Sequence, residues 1–426
     1  MPAIIEFPTI VEHAVEQFGA VFANAPERRH FAEYLTGLLV AEKKNVSGIN
    51  AEFAQTTDQS CLNRWITEVE WDAAQLNDQR LAWLQQDPQT RYAPSRVIPI
   101  DNTLVNHAGK LIEDVGYFWD HAEQRYTIAH DYLIANYVCP SGKPYALEFR
   151  RFRKRADCEA ERTRLEVQPG GFAAASEPAQ RLATFKNHTV LCCELIDWVV
   201  EHQIPGTVAF DSYFTNAAIC NHLAGYARAY VGDLKFNRKV WFRGTELRAE
   251  VVAAQIPAGD RKKVTVGERT QWYFTKKIWL PDYTHAVRIV MLWDHWNGKE
   301  PVKILITNQT HWEVSRVLRG YGQRWIGTET LHRDGKQHLG LGDCQLRSGE
   351  GQTRYFYLVL LVHSLLMAQL RQGRARTWAT ETLTTIGEAC RAVLRDRLGK
   401  TISWAIERAT LDGWQPLRIK AHLQLV

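Results

Sequence analysis

The sequence predicts an α/β protein carrying helical regions at both ends, and three observations support that prediction. Between residues 96 and 234, apolar runs rich in β-branched and aromatic residues alternate with helical patterns. Their order is strand, strand, strand, helix, strand, helix, strand. From Lys239 to Asn308, β-type segments such as 271–280 and 286–293 dominate. Before Asp87 and after Glu313, apolar residues recur at helical spacing. With 426 residues, 45% of them apolar and 23% charged, the chain has the composition of a globular protein and the length of two to three domains.

The elements follow in order. HFAEYLTGLLV (30–40) and CLNRWITEV (61–69) read as helices. Between them, KKNVSGINAEFAQTTDQS (43–60) reads as a short helix, a polar turn and a second helix start capped by Thr57 or Asp58. That pattern is compatible with a helix-turn-helix laying residues 60–66 in a major groove, but any compact helical bundle is the favoured reading of it. After a polar stretch with two prolines (86–95), RVIPI (96–100) is a buried strand ending at Asp101. Residues 126–139 and 145–152 are strands joined by the turn PSGK, and 165–184, which holds Pro169-Gly170-Gly171, reads as a loop. An apolar helix follows over 185–203. After the Pro205-Gly206 break, TVAF (207–210) is a buried strand ending at Asp211, then a helix over 215–227 and a strand over 229–234. The run YFYLVLLVHSLLMAQL (355–370) is too short to span a bilayer and contains His363 and Ser364.

Several classes are disfavoured by composition. The N-terminus MPAIIEFPTI lacks the basic region of a signal peptide. Eight cysteines at irregular spacing include no CxxC, the closest pair being Cys192 and Cys193, which speaks against a structural zinc or a disulfide framework. A cytoplasmic protein with reduced thiols and no membrane partner is expected. The net charge is only +5, but it is concentrated: residues 231–280 hold 11 Lys or Arg against five acids, a surplus of six. Interleaved with Phe236, Trp241, Phe242, Trp272, Tyr273 and Trp279, this zone suits a polyanion, cations meeting phosphates and rings meeting bases. A solvated basic face on a β-hairpin would read the same way. Trp241, Trp272 and Trp296 are expected in the core of this stretch, as is Trp325 further on, for which stacking on an extruded base is the alternative.

Asp101 and Asp211 each close a buried strand, where α/β sheets place ligands. Two such carboxylates repel unless cations neutralise them, and Mg²⁺ or Mn²⁺ suits oxygen ligands; a third acid must complete the cage. Both aspartates could instead be turn caps.

The segment YGQRWIGTETLHRDGKQHLGLG (321–342) resembles the YREK signature of bacterial insertion-sequence transposases of the DDE type, with Tyr321, Arg324, Glu329 and Lys336 in the signature positions. VIPIDNTLVNHAGK (97–110), followed by GYFWDH (116–121), resembles the segment with that family's first Asp, and GTVAFDSYFTNAAIC (206–220) the segment with the second. The likeness covers roughly residues 97–370, and the strand-helix order fits the ribonuclease H-like core it implies. Two departures stand out. Asn102 occupies a place where the family often has a further Asp, and four residues rather than three separate Arg324 from Glu329. On a continuous helix Arg324 would point about 140° from Glu329. Either the helix starts near Thr328 with Gly327 as breaker, or a π-bulge absorbs the extra residue.

The resemblance implies a metal-dependent DNA transposase. Asp101, Asp211 and Glu329 would hold two divalent ions, Mg²⁺ with Mn²⁺ able to substitute, for phosphoryl transfer. Tyr321, Arg324 and Lys336 would contact the DNA of the element's ends. His332 and Arg333 on the Glu329 face could meet phosphates, although for His332 a surface hydrogen bond is the alternative. Arg238 and Lys239 begin the basic zone and would hold further DNA. The partners implied are double-stranded DNA and a second copy of the chain, in a bacterial cytoplasm at the nucleoid. The corresponding organisation is a helical region (1–90), a first part of the ribonuclease H-like core (91–238), a β-rich insertion (239–312), the remaining core with the Glu-bearing helix (313–371) and a C-terminal helical region (372–426).

Overall fold

The computed structural model describes residues 3–55, 57–121, 123–370, 378–379 and 382–425. Part of the expected C-terminal region (372–377, 380–381 and 426) thus lies outside the described residues. The chain forms two compact units, one comprising Met1–Thr90, Leu104–His130 and Leu331–Val426, the other Arg91–Thr103 and Asp131–Thr330. The chain passes from one to the other inside three elements, so the units do not follow simple sequence boundaries.

In the first unit, α1 (Thr9–Phe18), α2 (Ala25–Val40), α3 (Val46–Ala51), α4 (Gln59–Thr67) and α5 (Ala73–Gln85) form in succession. The starts of α2 to α5 are set by side-chain caps: Asn24 accepts from the Glu27 N–H, Asn45 from that of Gly48, Asp58 from that of Ser60, and Asp72 from those of Ala74 and Gln75. Asp58, not Thr57, caps the second helix of the suspected helix-turn-helix. Leu62, Trp65 and Ile66 of α4 turn inward, with Trp65 stacked on Trp71 at 5.3 Å, while Gln59, Ser60 and Arg64 stay exposed.

β1 (Val97–Asn106) opens the second unit and its last residues return to the first. There β2 (Gly116–Asp120) pairs antiparallel with the beginning of β3 (Arg125–Val138). β4 (Pro144–Phe152) then folds back on β3. The expected loop at 165–184 is largely helical: α6 (Arg155–Glu166), α7 (Gly171–Ala174) and α8 (Glu177–Ala183) occupy it. Pro169-Gly170-Gly171 marks only the break between α6 and α7, Gly170 taking φ +85°.

α9 (His188–Glu201), β5 (Thr207–Phe210), α10 (Ala217–Gly225) and β6 (Tyr230–Asp233) complete the α/β pattern. β5 is parallel to both β1 and β6. The order β4-β3-β1-β5-β6 with parallel β1, β5 and β6 is consistent with a ribonuclease H-like core. All four residues of β5 are buried, as are Val97 to Ile100 of β1, because both strands run through the middle of the sheet.

β7 (Lys239–Phe242) and β8 (Thr245–Arg248) make a separate two-stranded sheet, followed by α11 (Ala249–Ala254). The rest of the expected insertion is not a separate body. β9 (Lys262–Val266), β10 (Arg269–Ile278), β11 (Val287–Trp293) and β12 (Lys303–Thr307) extend the core sheet in the order β6-β12-β11-β10-β9, with β12 antiparallel to β6. α12 (Val314–His338) follows as one 25-residue helix.

In the first unit, α13 (Gly349–Gln369) is buried along most of its length, which accounts for the apolar run at 355–370 as a core helix. α14 (Ile386–Thr410) starts at a capping box of Thr385 and Glu388, and α15 (Pro416–His422) closes the chain. No helix among the described residues is long and apolar enough to cross a membrane.

Candidate active site

Asp101 does not end its strand. β1 continues to Asn106, because Thr103 and Val105 keep one face buried after the two-sided apolar run stops. The pairing of Val97 with Thr207 and of Pro99 with Ala209 carries forward to set Asp101 level with Asp211 on the neighbouring strand. Asp211 follows β5 directly. Its carboxylate accepts from the Tyr213 N–H at 2.9 Å and the Phe214 N–H at 3.3 Å, so it also caps the turn it was expected to occupy.

α12 brings in the third acid. Its helix is continuous through residues 324–329, with neither a late start nor a π-bulge. Gly327 is not a breaker but a contact point. A Cβ there would stand 2.4 Å from Cγ of Pro99 and 2.9 Å from Cγ2 of Val138, so only glycine lets α12 lie this close to β1 and β3. One turn earlier, the Arg324 guanidinium meets the Asp101 carboxylate at 2.7 Å, the two side chains being 12% and 15% exposed. Glu329 is solvent-exposed, yet near enough to act on Asp101 electrostatically. The carboxyl of Asp101 is pushed up to about 7. Burial is the largest cause and the charges of Asp211 and Glu329 add to it, against the opposing pull of Arg324 and the Asn102 N–H.

A hydrogen-bonded chain joins the two aspartate strands. Asn102 donates to Asp131 at 3.0 Å, the other oxygen of Asp131 meets His188 at 2.8 Å, and His188 lies 3.3 Å from the Tyr213 hydroxyl, two residues after Asp211. The ring of His188 stacks on Phe152 at 4.2 Å. The sequence reading found none of Asp131, His188 or Tyr213. Asp131 sits mid-strand in an otherwise apolar run (Leu133, Ile134, Ala135), a buried acid that demands partners, and that was the available signal.

The other expected site residues fall into distinct places. The Tyr321 hydroxyl donates to Asp233 at 3.3 Å, where Asp233 also meets Lys303 at 2.9 Å, so Tyr321 is engaged inside the protein. Burial raises its pKa. His332 overturns its expectation. It is 7% exposed, its Nε2 is buried without a hydrogen-bond partner, and burial, helped by the charge of Lys336, pulls it down to about 3. A neutral interior imidazole is no phosphate contact, nor does it make the alternative surface hydrogen bond. Arg333 and Lys336 are exposed, Arg333 lying 3.5 Å from Asp334. Arg238 is exposed, and Lys239 pairs with Glu246 at 2.6 Å. Within the basic zone, Arg261 is structural: it donates to the carbonyls of Ile256, Trp296 and Gly298 and lies 4.0 Å over the Trp293 ring. Trp241, Trp296 and Trp325, expected in the core, are instead exposed, Trp325 at 62%.

Among the described residues no three His, Cys, Asp or Glu side chains are gathered as a metal cage. Arg324 supplies the positive charge at Asp101. The donor set of three carboxylates, without imidazole or thiolate, nevertheless fits a hard divalent cation, and Asp211 and Glu329 both lie near enough to add to the upward push that burial gives Asp101.

Residues 17–272 match the profile of a family described as DDE superfamily endonuclease, more than half of the chain. The chain belongs to that family. No curated protein matches it. The match includes Asp101 and Asp211 and stops before Glu329, whose assignment therefore rests on its place on α12. Membership brings nuclease or transposase chemistry and DNA as the substrate.

Proposed function

We propose that this DDE endonuclease is a transposase of the insertion-sequence type, cutting the ends of a mobile element and joining them to target DNA as a homodimer. The observation that carries the reading is the register of β1 on β5, which sets Asp101 level with Asp211, with the exposed Glu329 on α12 near enough to act on Asp101 electrostatically. Asp101, Asp211 and Glu329 would hold divalent cations, Mg²⁺ or Mn²⁺. These would activate the attacking hydroxyl and neutralise the departing oxygen in an in-line displacement.

The chain's own groups do the rest. Gly327 fixes the depth of α12 on β1 and so positions Arg324 and Glu329. Asn102, Asp131, His188 and Tyr213 hold the two aspartate strands in one hydrogen-bonded frame. Arg324, which pairs with Asp101, is the guanidinium placed to meet a phosphate of the scissile strand if that pair opened. The exposed Trp325 beside it offers a face to an unstacked base, and Arg238, Arg333 and Lys336 offer further charge to the backbone.

The test is a plasmid carrying the gene with its flanking DNA, incubated with purified protein and Mg²⁺ or Mn²⁺. Excision at defined ends and joined product, both lost in Asp101→Ala and Asp211→Ala, are expected. Cleavage without joined product would leave a nuclease. A second reading, a transposase-derived protein that binds DNA without cutting, is favoured by the Arg324–Asp101 ion pair, and specific binding without any cleavage would establish it.

A further inference from the structure

A cleft of about 720 Å³ lies wholly within the first unit, well inside the size range of ligand sites. Its walls come from residues 42–45, 107–112 and 342–347. Lys43, Lys44, Lys110 and Arg347 line it against two acids, Glu42 and Asp343. None of these four cations has a carboxylate within salt-bridge distance among the described residues. Lys44 is the unusual one. It is 9% exposed, and its ammonium donates to the Ala41 carbonyl at 2.9 Å; Asp343 and Glu52 act on it only from beyond ion-pair distance, so a nearly buried charge has no direct carboxylate contact.

The cleft is built rather than incidental. Gly340, at φ +71°, leaves the room that the Lys44 stem needs, since a Cβ there would come within 2.6 Å of the Cβ of Lys44. Gly48 does the same for Lys43, where a Cβ would fall 2.2 Å from its carbonyl oxygen. The Tyr355 hydroxyl bridges the carbonyls of Gly340 and Lys44 at 2.6 and 3.0 Å. The remaining walls are pinned together, the Glu113 N–H donating to the Arg347 carbonyl and the Glu113 carboxylate accepting from the Gly349 N–H. His107 faces the cleft with its ring held 2.9 Å from His130, whose other nitrogen lies 2.7 Å from the Glu113 carbonyl. Four cations on a pinned backbone, none in a salt bridge among the described residues, call for an anion. In a protein whose substrate is DNA, the anion at hand is a backbone phosphate.

We propose that the Lys43–Lys44–Lys110–Arg347 cleft is a second DNA subsite, seating phosphate of a nucleic-acid strand away in sequence from the three acids. The proposal rests on the DNA-acting reading above. The subsite also follows in the chain from the elements that carry two of the acids: β1, with Asp101, ends at Asn106 next to His107 of the cleft wall, and α12, with Glu329, ends at His338 shortly before Gly342 of the cleft.

The test uses the full chain and a short fluorescein-labelled duplex, with affinity read by anisotropy over a series of salt concentrations. The double variant Lys110→Gln/Arg347→Gln changes two exposed side chains and leaves the fold intact. It should lower the slope of log affinity against log salt by about two. An unchanged slope with wild-type binding intact overturns the subsite and leaves the functional reading standing. A wild type that binds no duplex sinks both.

Reductive labelling of the exposed Lys110 with pyridoxal phosphate, read by peptide mass spectrometry, provides a second measurement that needs no variant. Duplex should shield Lys110 far better than thymidine monophosphate at equal phosphate concentration. Equal shielding would assign the cleft to a free nucleotide and overturn the proposal.

Discussion

Arg324 holds the balance of charge at the site. An ion pair at 2.7 Å with only 12% and 15% of its side chains exposed is a strong local interaction, and it uses the carboxylate that a divalent cation would need. Asp101 is already pushed up to about 7 with that guanidinium in place. Cation binding must therefore displace Arg324 or share Asp101 with it. Arg324→Gln, with the competitor removed and the glutamine still able to donate a hydrogen bond, should bind Mn²⁺ about tenfold more tightly in the absence of DNA, equivalent to roughly 1.4 kcal/mol. Electron paramagnetic resonance of free Mn²⁺ would read this directly, and an unchanged affinity would show that the ion pair does not compete. Asp101 and Asp211 were legible in the sequence because an acid after an apolar run is conspicuous. The burial of His332 was not. Spacing places a residue on a helix face but does not reveal what packs over that face, and here His332 is closed off from solvent. The same gap misplaced Trp325, an apolar ring that the protein leaves exposed.

At the scale of elements, α12 carries Glu329, the proposed third acid. Its sequence carries Gly320, Gly322, Gly327 and Gly335, a composition that weakens a helix and invites the reading of a break. The break is absent because packing overrides propensity. At Gly327 the two effects can be weighed. Gly327→Ala gains about 1 kcal/mol of helix propensity. It also drives a methyl to 2.4 Å from a proline ring carbon on central strand β1, where neither backbone can yield cheaply, at a cost of about 1–3 kcal/mol or more. Net destabilisation is expected in urea unfolding, together with lost cleavage as Glu329 and Arg324 move off β1. A stabilised, active variant would show that α12 does not rest on β1 as described. Other elements were harder to read for comparable reasons. β1 runs past Asp101 because its later half is buried on one face only, so its pattern changes from a run to an alternation at Asp101. Residues 155–183 form helices although they are polar and interrupted by Pro169-Gly170-Gly171, which in a single sequence is indistinguishable from a loop. The β segments after Lys239 were recognisable as strands, but nothing local says that β12 pairs with β6 and continues the core sheet.

At the scale of the whole molecule, the response to acid follows from histidines kept neutral inside the first unit. His363 on α13 is fully enclosed and pulled down to about 4 by burial and by the charge of Arg80, which is itself held by Asn77 and Ser364. His332 is pulled down to about 3. An unfolded histidine titrates near 6.5. Above that pH both states are neutral and the two residues do not affect the folding balance. As pH falls below about 6.5 the unfolded chain takes up protons that the folded chain refuses, so stability is lost progressively until the folded values are reached. At pH 5 the His363 contribution is about 2 kcal/mol, from roughly 1.4 kcal/mol per pH unit. His363→Leu removes that titration at a site where Nδ1 has no hydrogen-bond partner to lose. The variant should therefore lose less stability than the wild type between pH 7.5 and pH 5, by about 2 kcal/mol in urea titrations followed by intrinsic fluorescence. Parallel losses in the two proteins would mean that His363 takes up its proton inside the folded chain. The tryptophans packed around α4, Trp65 and Trp71, lie in the same unit and report its unfolding directly.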